Sequence, residues 1–152
     1  MNAQPAAPRR APPLRDRYPY FAAISTRFMD NDLNSHLNNA AYYSFIDTAI
    51  TLYLAHAVGR ELAHDPYSYL VVENGCTYYT AIAFPDVVQC GVGVTRIGGS
   101  SMRLEVGLFR NDESVASALG FFVQVCCDRR TQRPVLIAGS VRAALEAIRI
   151  SE

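Results

Sequence analysis

The sequence predicts an α+β domain in which one long apolar helix is wrapped by a curved antiparallel sheet of about five strands. Three observations carry that prediction. Residues 40–58 have helical length and are apolar in nearly every direction. Residues 67–127 hold four long stretches rich in Val, Tyr and Phe. The segments joining those stretches are short and made of turn residues, which favours antiparallel neighbours. A helix apolar all round has to be covered, and one strongly curved sheet covers it.

The chain has 152 residues, half of them hydrophobic, enough for one domain with its own core. Fourteen basic residues balance fourteen acidic ones, so no global field recruits nucleic acid or an anionic membrane. Every basic residue is Arg, which excludes a Schiff-base lysine or a phosphate-loop lysine. The cysteines Cys76, Cys90, Cys126 and Cys127 form no C-x-x-C pair and read as buried free thiols. The sequence shows no apolar run of membrane-spanning length and no signal-peptide core, so a reducing, cytoplasmic setting is expected.

Residues 1–17, dense in Pro and Arg, read as a disordered basic tail; residues 18–152 form the single domain. The tail carries Arg9, Arg10, Arg15 and Arg17 against Asp16 and faces an acidic body. Ile24, Thr26 and Phe28 alternate with Ser25 and Arg27 in a first strand. Residues 30–39 are a polar loop of turn and capping residues. Asn38 or Asn39 caps the following helix, and Gly59 ends it. On that helix Ser44, Asp47, Thr48 and Thr51 share one polar stripe, where a buried Asp47 needs a partner. Strands follow at 67–80, 86–97, 101–110 and 114–127 as an antiparallel meander, then a helix after Ser140. Such a sheet keeps open edges, and part of the helix stays uncovered, which argues for an oligomer that continues the sheet.

The chemistry concentrates in the loop. A helix N-terminus offers unpaired N–H groups and a partial positive charge, which stabilise an oxyanion forming on a carbonyl. A carboxylate a few residues upstream can act on that carbonyl as nucleophile, or on a water beside it as general base. Acyl transfer from a good leaving group needs no more. No His pair has metal-ligand spacing, and no metal is expected.

The stretch Arg27-Phe28-Met29-Asp30-Asn31-Asp32-Leu33-Asn34-Ser35-His36-Leu37-Asn38-Asn39-Ala40-Ala41-Tyr42 resembles the R-x-x-D-x-D-x-x-G-H-[LV]-N-N-x-x-Y signature of hotdog-fold acyl-CoA thioesterases of the 4-hydroxybenzoyl-CoA thioesterase type. Ala83-Phe84-Pro85-Asp86 and Arg96-Ile97-Gly98-Gly99-Ser100-Ser101 are similar to that family too, and in its order. The resemblance spans about residues 20–137. It implies a hotdog fold and hydrolysis of an acyl-CoA thioester, with Asp32 as the catalytic carboxylate and the Asn39 N–H polarising the thioester carbonyl. It also implies active sites at the interfaces of a homodimer or homotetramer, with coenzyme A entering only as part of the substrate. The chain departs from the pattern at Ser35, where the family has glycine; glycine permits positive φ and close approach of a ligand, so the shape of the acyl pocket is at stake.

Beside these, His36 is a candidate for orienting the loop or touching the thioester. Asn38, Tyr42 and Asp47 are candidates for the substrate's walls. Arg96, Ser100 and Ser101 suit the phosphates and pantetheine of coenzyme A, with Arg103 near them. Two other functions fit the same fold: a module that binds acyl-CoA without hydrolysing it, and an enoyl-CoA hydratase whose D-x-N-P-x-H motif Asp32-Leu33-Asn34-Ser35-His36 echoes only faintly.

Overall fold

The computed structural model describes residues 10–59, 62–137 and 139–151. Strand β1 (Tyr20–Ser25) leads through a 3-10 turn (Phe28–Asp30) and the polar loop into helix α1 (Asn39–Val58). Strands β2 (Tyr67–Tyr78), β3 (Val87–Ile97), β4 (Ser101–Arg110) and β5 (Ala118–Asp128) follow, then helix α2 (Gly139–Ala147). All five strands form one antiparallel sheet in the order β1-β3-β4-β5-β2. Only β3, β4 and β5 make a meander; β2 pairs with β5 rather than with β3, its neighbour in sequence. The reason is the segment between β2 and β3, which crosses the sheet's end with Ile82 fully buried.

Alternate residues of β3 and β4 (Val88, Cys90, Val92 and Val94; Met102, Leu104, Val106 and Leu108) are fully or almost fully buried against α1. From the helix, Phe45, Ile46, Ala49, Ile50, Tyr53 and Leu54 meet them. The Cβ of any other residue at position 120 would fall 2.3 Å from Ile46 Cδ1, so Gly120 lets the helix lie close to β5. Asn38 caps the helix at its start, and Gly59, at φ 69°, ends it. Contrary to the all-round burial expected from its composition, α1 is covered on one side only. Ser44, Asp47, Thr48, Thr51 and Leu52 are exposed in the single chain. Asp47 therefore needs no buried partner.

The tail expectation fails for residues 10–17, while residues 1–9 lie outside the described residues. Leu14 bridges Val115, Arg15 N–H donates to the Ser114 carbonyl, and Tyr18 packs edge-on to Phe109 on the outer face of the sheet. The anchor is Glu105, buried on that face. Its carboxylate accepts from Arg10 Nη1 at 2.7 Å, Arg17 Nε at 2.9 Å and the Tyr18 hydroxyl at 3.0 Å. The sequence placed charge of opposite sign on tail and body but could not show that one buried carboxylate gathers it.

Candidate active site

The polar loop is a small hairpin rather than an open coil. Asn38 N–H donates to Asp30 C=O at 2.8 Å, Asn31 bridges Leu37, and Asp32 N–H donates to His36 C=O at 2.8 Å. Its base is tied to the segment crossing from β2 to β3: Leu37 N–H donates to Ile82 C=O at 2.7 Å, and Phe84 N–H to Asn31 Oδ1 at 3.1 Å. The two aspartates of D-x-D have different surroundings. Asp30 is buried and accepts from the Arg27 N–H at 2.7 Å and from Arg27 Nη2 at 2.8 Å. That guanidinium holds the Asp30 carboxyl below the usual carboxylate range. Asp30 shapes the turn. Asp32 stands two rungs higher, half-exposed, with Oδ1 accepting the Asn34 N–H at 2.7 Å in an Asx turn. Among the described residues no cation lies within ion-pair distance of it.

Because the Asp30 carboxyl is depressed in the fold, its stabilising effect is present above the unfolded value of about 3.9 and is lost as pH falls through the folded value. Asp30→Asn should therefore lower Tm most at neutral pH, with the gap from wild type closing as the pH drops below about 4. Melting curves between pH 7 and pH 3 check this.

Ser35 sits at the hairpin tip with φ 59°, the left-handed conformation that a glycine adopts freely. The chain has kept the turn and changed the residue. A non-glycine residue costs about 1–2 kcal/mol there, partly offset by the greater freedom glycine gains when unfolded. Ser35→Gly is expected to stabilise the protein by about 0.5–1 kcal/mol, read from urea denaturation, and to leave the hairpin's hydrogen bonds in place.

The hairpin ends where α1 begins. Asn38 Oδ1 accepts the Ala40 N–H at 2.9 Å and its carbonyl accepts the Ala41 N–H. Among the described residues nothing accepts the Asn39 N–H. One donor of the helix's first turn thus stays open at the end of the Asp32 loop, as an oxyanion site requires. The Tyr78 hydroxyl donates to the Asn39 carbonyl at 3.3 Å, tying this turn to β2. Tyr42 is 3% exposed and packs edge-on against Tyr78. It stands behind the helix start, not on an open wall. The His36 side chain is exposed, and its carbonyl, not its ring, holds the hairpin together.

Asp47 lies eight residues along α1 from Asn39, about 12 Å away on the uncovered face. Arg96, Ser100 and Ser101 are farther still. Val87, at the start of β3, pairs with Ser25 beside the loop, and Arg96 is nine residues on, about 30 Å along the strand. Within one chain the structure gathers Asp32, Asn38 and Asn39 and leaves Arg96, Ser100 and Ser101 at the opposite end of the sheet.

Two features escaped the sequence. A cleft of about 370 Å³ opens between β1 and the first turns of α1, lined by Ile24, Arg27, Asp30, Ala41, Ser44 and Thr48 among others. Around the loop, Phe28 (80% exposed), Met29 (75%) and Leu33 (fully exposed) form an apolar collar with Phe84, whose ring lies 6.1 Å from Phe28 in an edge contact. Large apolar side chains inside an otherwise polar loop were the available signal. Competing nucleophiles are absent from the collar: the four cysteines are free thiols, and burial pushes Cys76 up to about 11 and Cys90 up to about 12. Among the described residues no three His, Cys, Asp or Glu side chains gather to hold a metal, and no helix is long and apolar enough to cross a membrane.

Known proteins place this arrangement in a family. The profile of the thioesterase-like superfamily matches residues 26–145. The crystal structure of the PA5185 protein from Pseudomonas aeruginosa superposes with a TM-score of 0.89 at 41% identity, covering 92% of this chain and 98% of that one. A thioesterase from Thermus thermophilus, complexed with coenzyme A and Zn, superposes with a TM-score of 0.74 at 27% identity, covering 88% and 96%. A gentisyl-coenzyme A thioesterase, at 21% identity over 83% and 99% and a TM-score of 0.72, shares the fold. No curated sequence matches. With four-fifths of its length under that profile and a five-stranded antiparallel sheet packed on one long helix that superposes on these structures, the chain belongs to the thioesterase-like superfamily as a hotdog-fold thioester hydrolase.

Proposed function

We propose that the protein hydrolyses an acyl-CoA thioester at the Asp32 loop. The observation that carries this is the pairing of a half-exposed carboxylate on the hairpin, with no cation in ion-pair range among the described residues, with the N–H of Asn39 at the start of α1, for which no acceptor is found among the described residues. The thioester carbonyl oxygen takes the Asn39 N–H, where the helix's partial positive charge favours the developing oxyanion. Asp32 then either attacks the carbonyl carbon, expelling thiolate and leaving a mixed anhydride that water opens, or draws a proton from a water that attacks. The expelled thiol has a pKa of about 8.5 if it resembles cysteine, so thiolate leaves without a strong general acid. The apolar collar of Phe28, Met29, Leu33 and Phe84 would hold the acyl group.

In this reading the working unit is a homodimer paired through β2. That strand is an edge of 12 residues with Leu70, Val71 and Val72 at 42%, 40% and 63% exposed, an apolar border of the kind that recruits another strand. Antiparallel pairing of two β2 strands reverses direction across the two-fold axis. The Tyr67 end of the partner's β2 then lies beside the Tyr78 end here, and the partner's Arg96, Ser100 and Ser101 come to the side of the sheet that carries Asp32. This supplies the phosphate-binding end of the substrate that the single chain lacks.

A thiol-release assay over benzoyl-, short-chain and long-chain acyl-CoA tests the reading. Release of free CoA from at least one of them is expected. Tight binding of an acyl-CoA that is recovered intact would instead make the chain a binding module.

A further inference from the structure

Asn39 carries the open N–H of the site, and one hydroxyl from outside the loop reaches the same residue. Tyr78, the last residue of β2, donates from its hydroxyl to the Asn39 carbonyl at 3.3 Å. The strand register explains the approach. Cys76 pairs with Gly120, whose missing Cβ makes room for Ile46 of α1, so Cys76 and Tyr78, two residues apart, both face the helix. Tyr78 pairs in turn with Ala118, and the Ser117 carbonyl accepts the N–H groups of both Tyr79 and Thr80, at 2.8 and 3.1 Å. The strand end beneath the ring is therefore pinned. The ring itself stands edge-on to buried Tyr42, with centroids 4.9 Å apart and planes at 82°.

Among the described residues, hydrogen bonds to residues 38–41 come from the hairpin, from the helix start and from this hydroxyl. Tyr78 is thus the anchor that holds the turn from outside. Burial, with the Cys76 thiol and the Tyr43 hydroxyl beside it, raises the Tyr78 hydroxyl above its ordinary value, so it keeps its proton and stays a donor. We propose that Tyr78 is a positioning residue of the hydrolytic site, which holds Asn39 by its carbonyl so that its N–H is fixed where the thioester oxygen will lie. This rests on the acyl-CoA hydrolase reading and adds a residue that touches neither the substrate nor Asp32. An oxyanion donor acts only if it is in place before the charge develops. Helix ends fray, and the first residue of α1 has no N–H bond of its own to resist that. Because β2 is also the strand that pairs the proposed dimer, one hydroxyl links the oxyanion donor to the seam.

The test is Tyr78→Phe, which keeps the ring and its contact with Tyr42 and removes the hydroxyl. For the acyl-CoA that wild type cleaves best, kcat is expected to fall about tenfold with KM within about twofold of wild type, because orientation is lost and binding is not. Tm and oligomeric mass should stay near wild type. A second tyrosine supplies the control. The Tyr53 hydroxyl donates to the Ala144 carbonyl at 2.5 Å, a buried bond of the same kind farther along α1. Tyr53→Phe should lower Tm and leave kcat alone. 4-Aminophenylalanine at position 78 returns an N–H donor to the same place and should recover most of the lost kcat. Unchanged kcat in folded Tyr78→Phe overturns the proposal. So does a Tyr78→Phe chain that fails to fold or loses Tm and kcat together, and so does a 4-aminophenylalanine variant that folds without recovering kcat. No thiol release by wild type takes away the hydrolase reading and this role with it, an outcome distinct from wild-type turnover that Tyr78→Phe leaves unchanged.

Discussion

Asp32→Asn is expected to lower kcat for thioester hydrolysis by about 10²–10⁴-fold while leaving Tm and the oligomeric state close to wild type. The substitution is nearly isosteric, and the contact that orients this side chain survives it. Oδ1 accepts the Asn34 N–H at 2.7 Å, and an amide oxygen can accept the same bond. What disappears is the negative charge, and with it both the nucleophile and the base. Substrate binding should persist, since no part of the collar or the Asn39 N–H is touched, so KM changes little against a large fall in kcat. The comparison with Asp30→Asn sharpens the result. Asp30 is buried on Arg27, so its loss should appear first in stability and in the acid limb of the melting profile. Undiminished turnover in Asp32→Asn would remove the carboxylate from the chemistry altogether.

The four later strands, the central helix and the site loop were legible in the sequence because each rests on a local signal, although β5 starts four residues later than read; the first strand, read through Phe28, instead ends at Ser25, and Phe28 opens an exposed 3-10 turn. Asn38 before the helix and Gly59 after it are capping residues, and both cap α1 as read. The alternation of Met102, Leu104, Val106 and Leu108 set the buried face of β4. What local signals do not encode is which strands pair. The placement of β2 beyond β5 depends on the crossing segment around Ile82, and no periodicity announces it. The same limit explains Asp47. Helix composition reported apolar residues on most sides but not how far one sheet could wrap, and half of α1 stayed open. The Arg-rich N-terminal segment looked unable to pack because its partners, Glu105 and Phe109, lie about ninety residues away. At the site the motif placed Asp32, Asn38 and Asn39 in one turn, whereas the collar of Phe28, Met29, Leu33 and Phe84 needed coordinates. So did the distance that separates Arg96, Ser100 and Ser101 from the loop.

That separation leads to the second large effect. In the proposed β2-paired dimer, Val71→Glu combined with Val72→Glu should convert the protein to a monomer and remove most of its activity together. Both valines are exposed in the single chain, so the fold has little reason to oppose the change. Across a β2–β2 interface, however, the introduced carboxylates would be buried at the seam without a partner. An uncompensated buried charge costs about 3–5 kcal/mol, which weakens the dimer by at least about 10²-fold. Light scattering with chromatography reads the mass. The activity of the variant should rise with protein concentration as the dimer re-forms, because Asp32 is intact in every monomer and only the partner's Arg96, Ser100 and Ser101 are missing. Full activity in a demonstrated monomer would mean that one chain completes the site alone. The substrate's phosphates would then have to be held by residues on the Asp32 side of the same sheet.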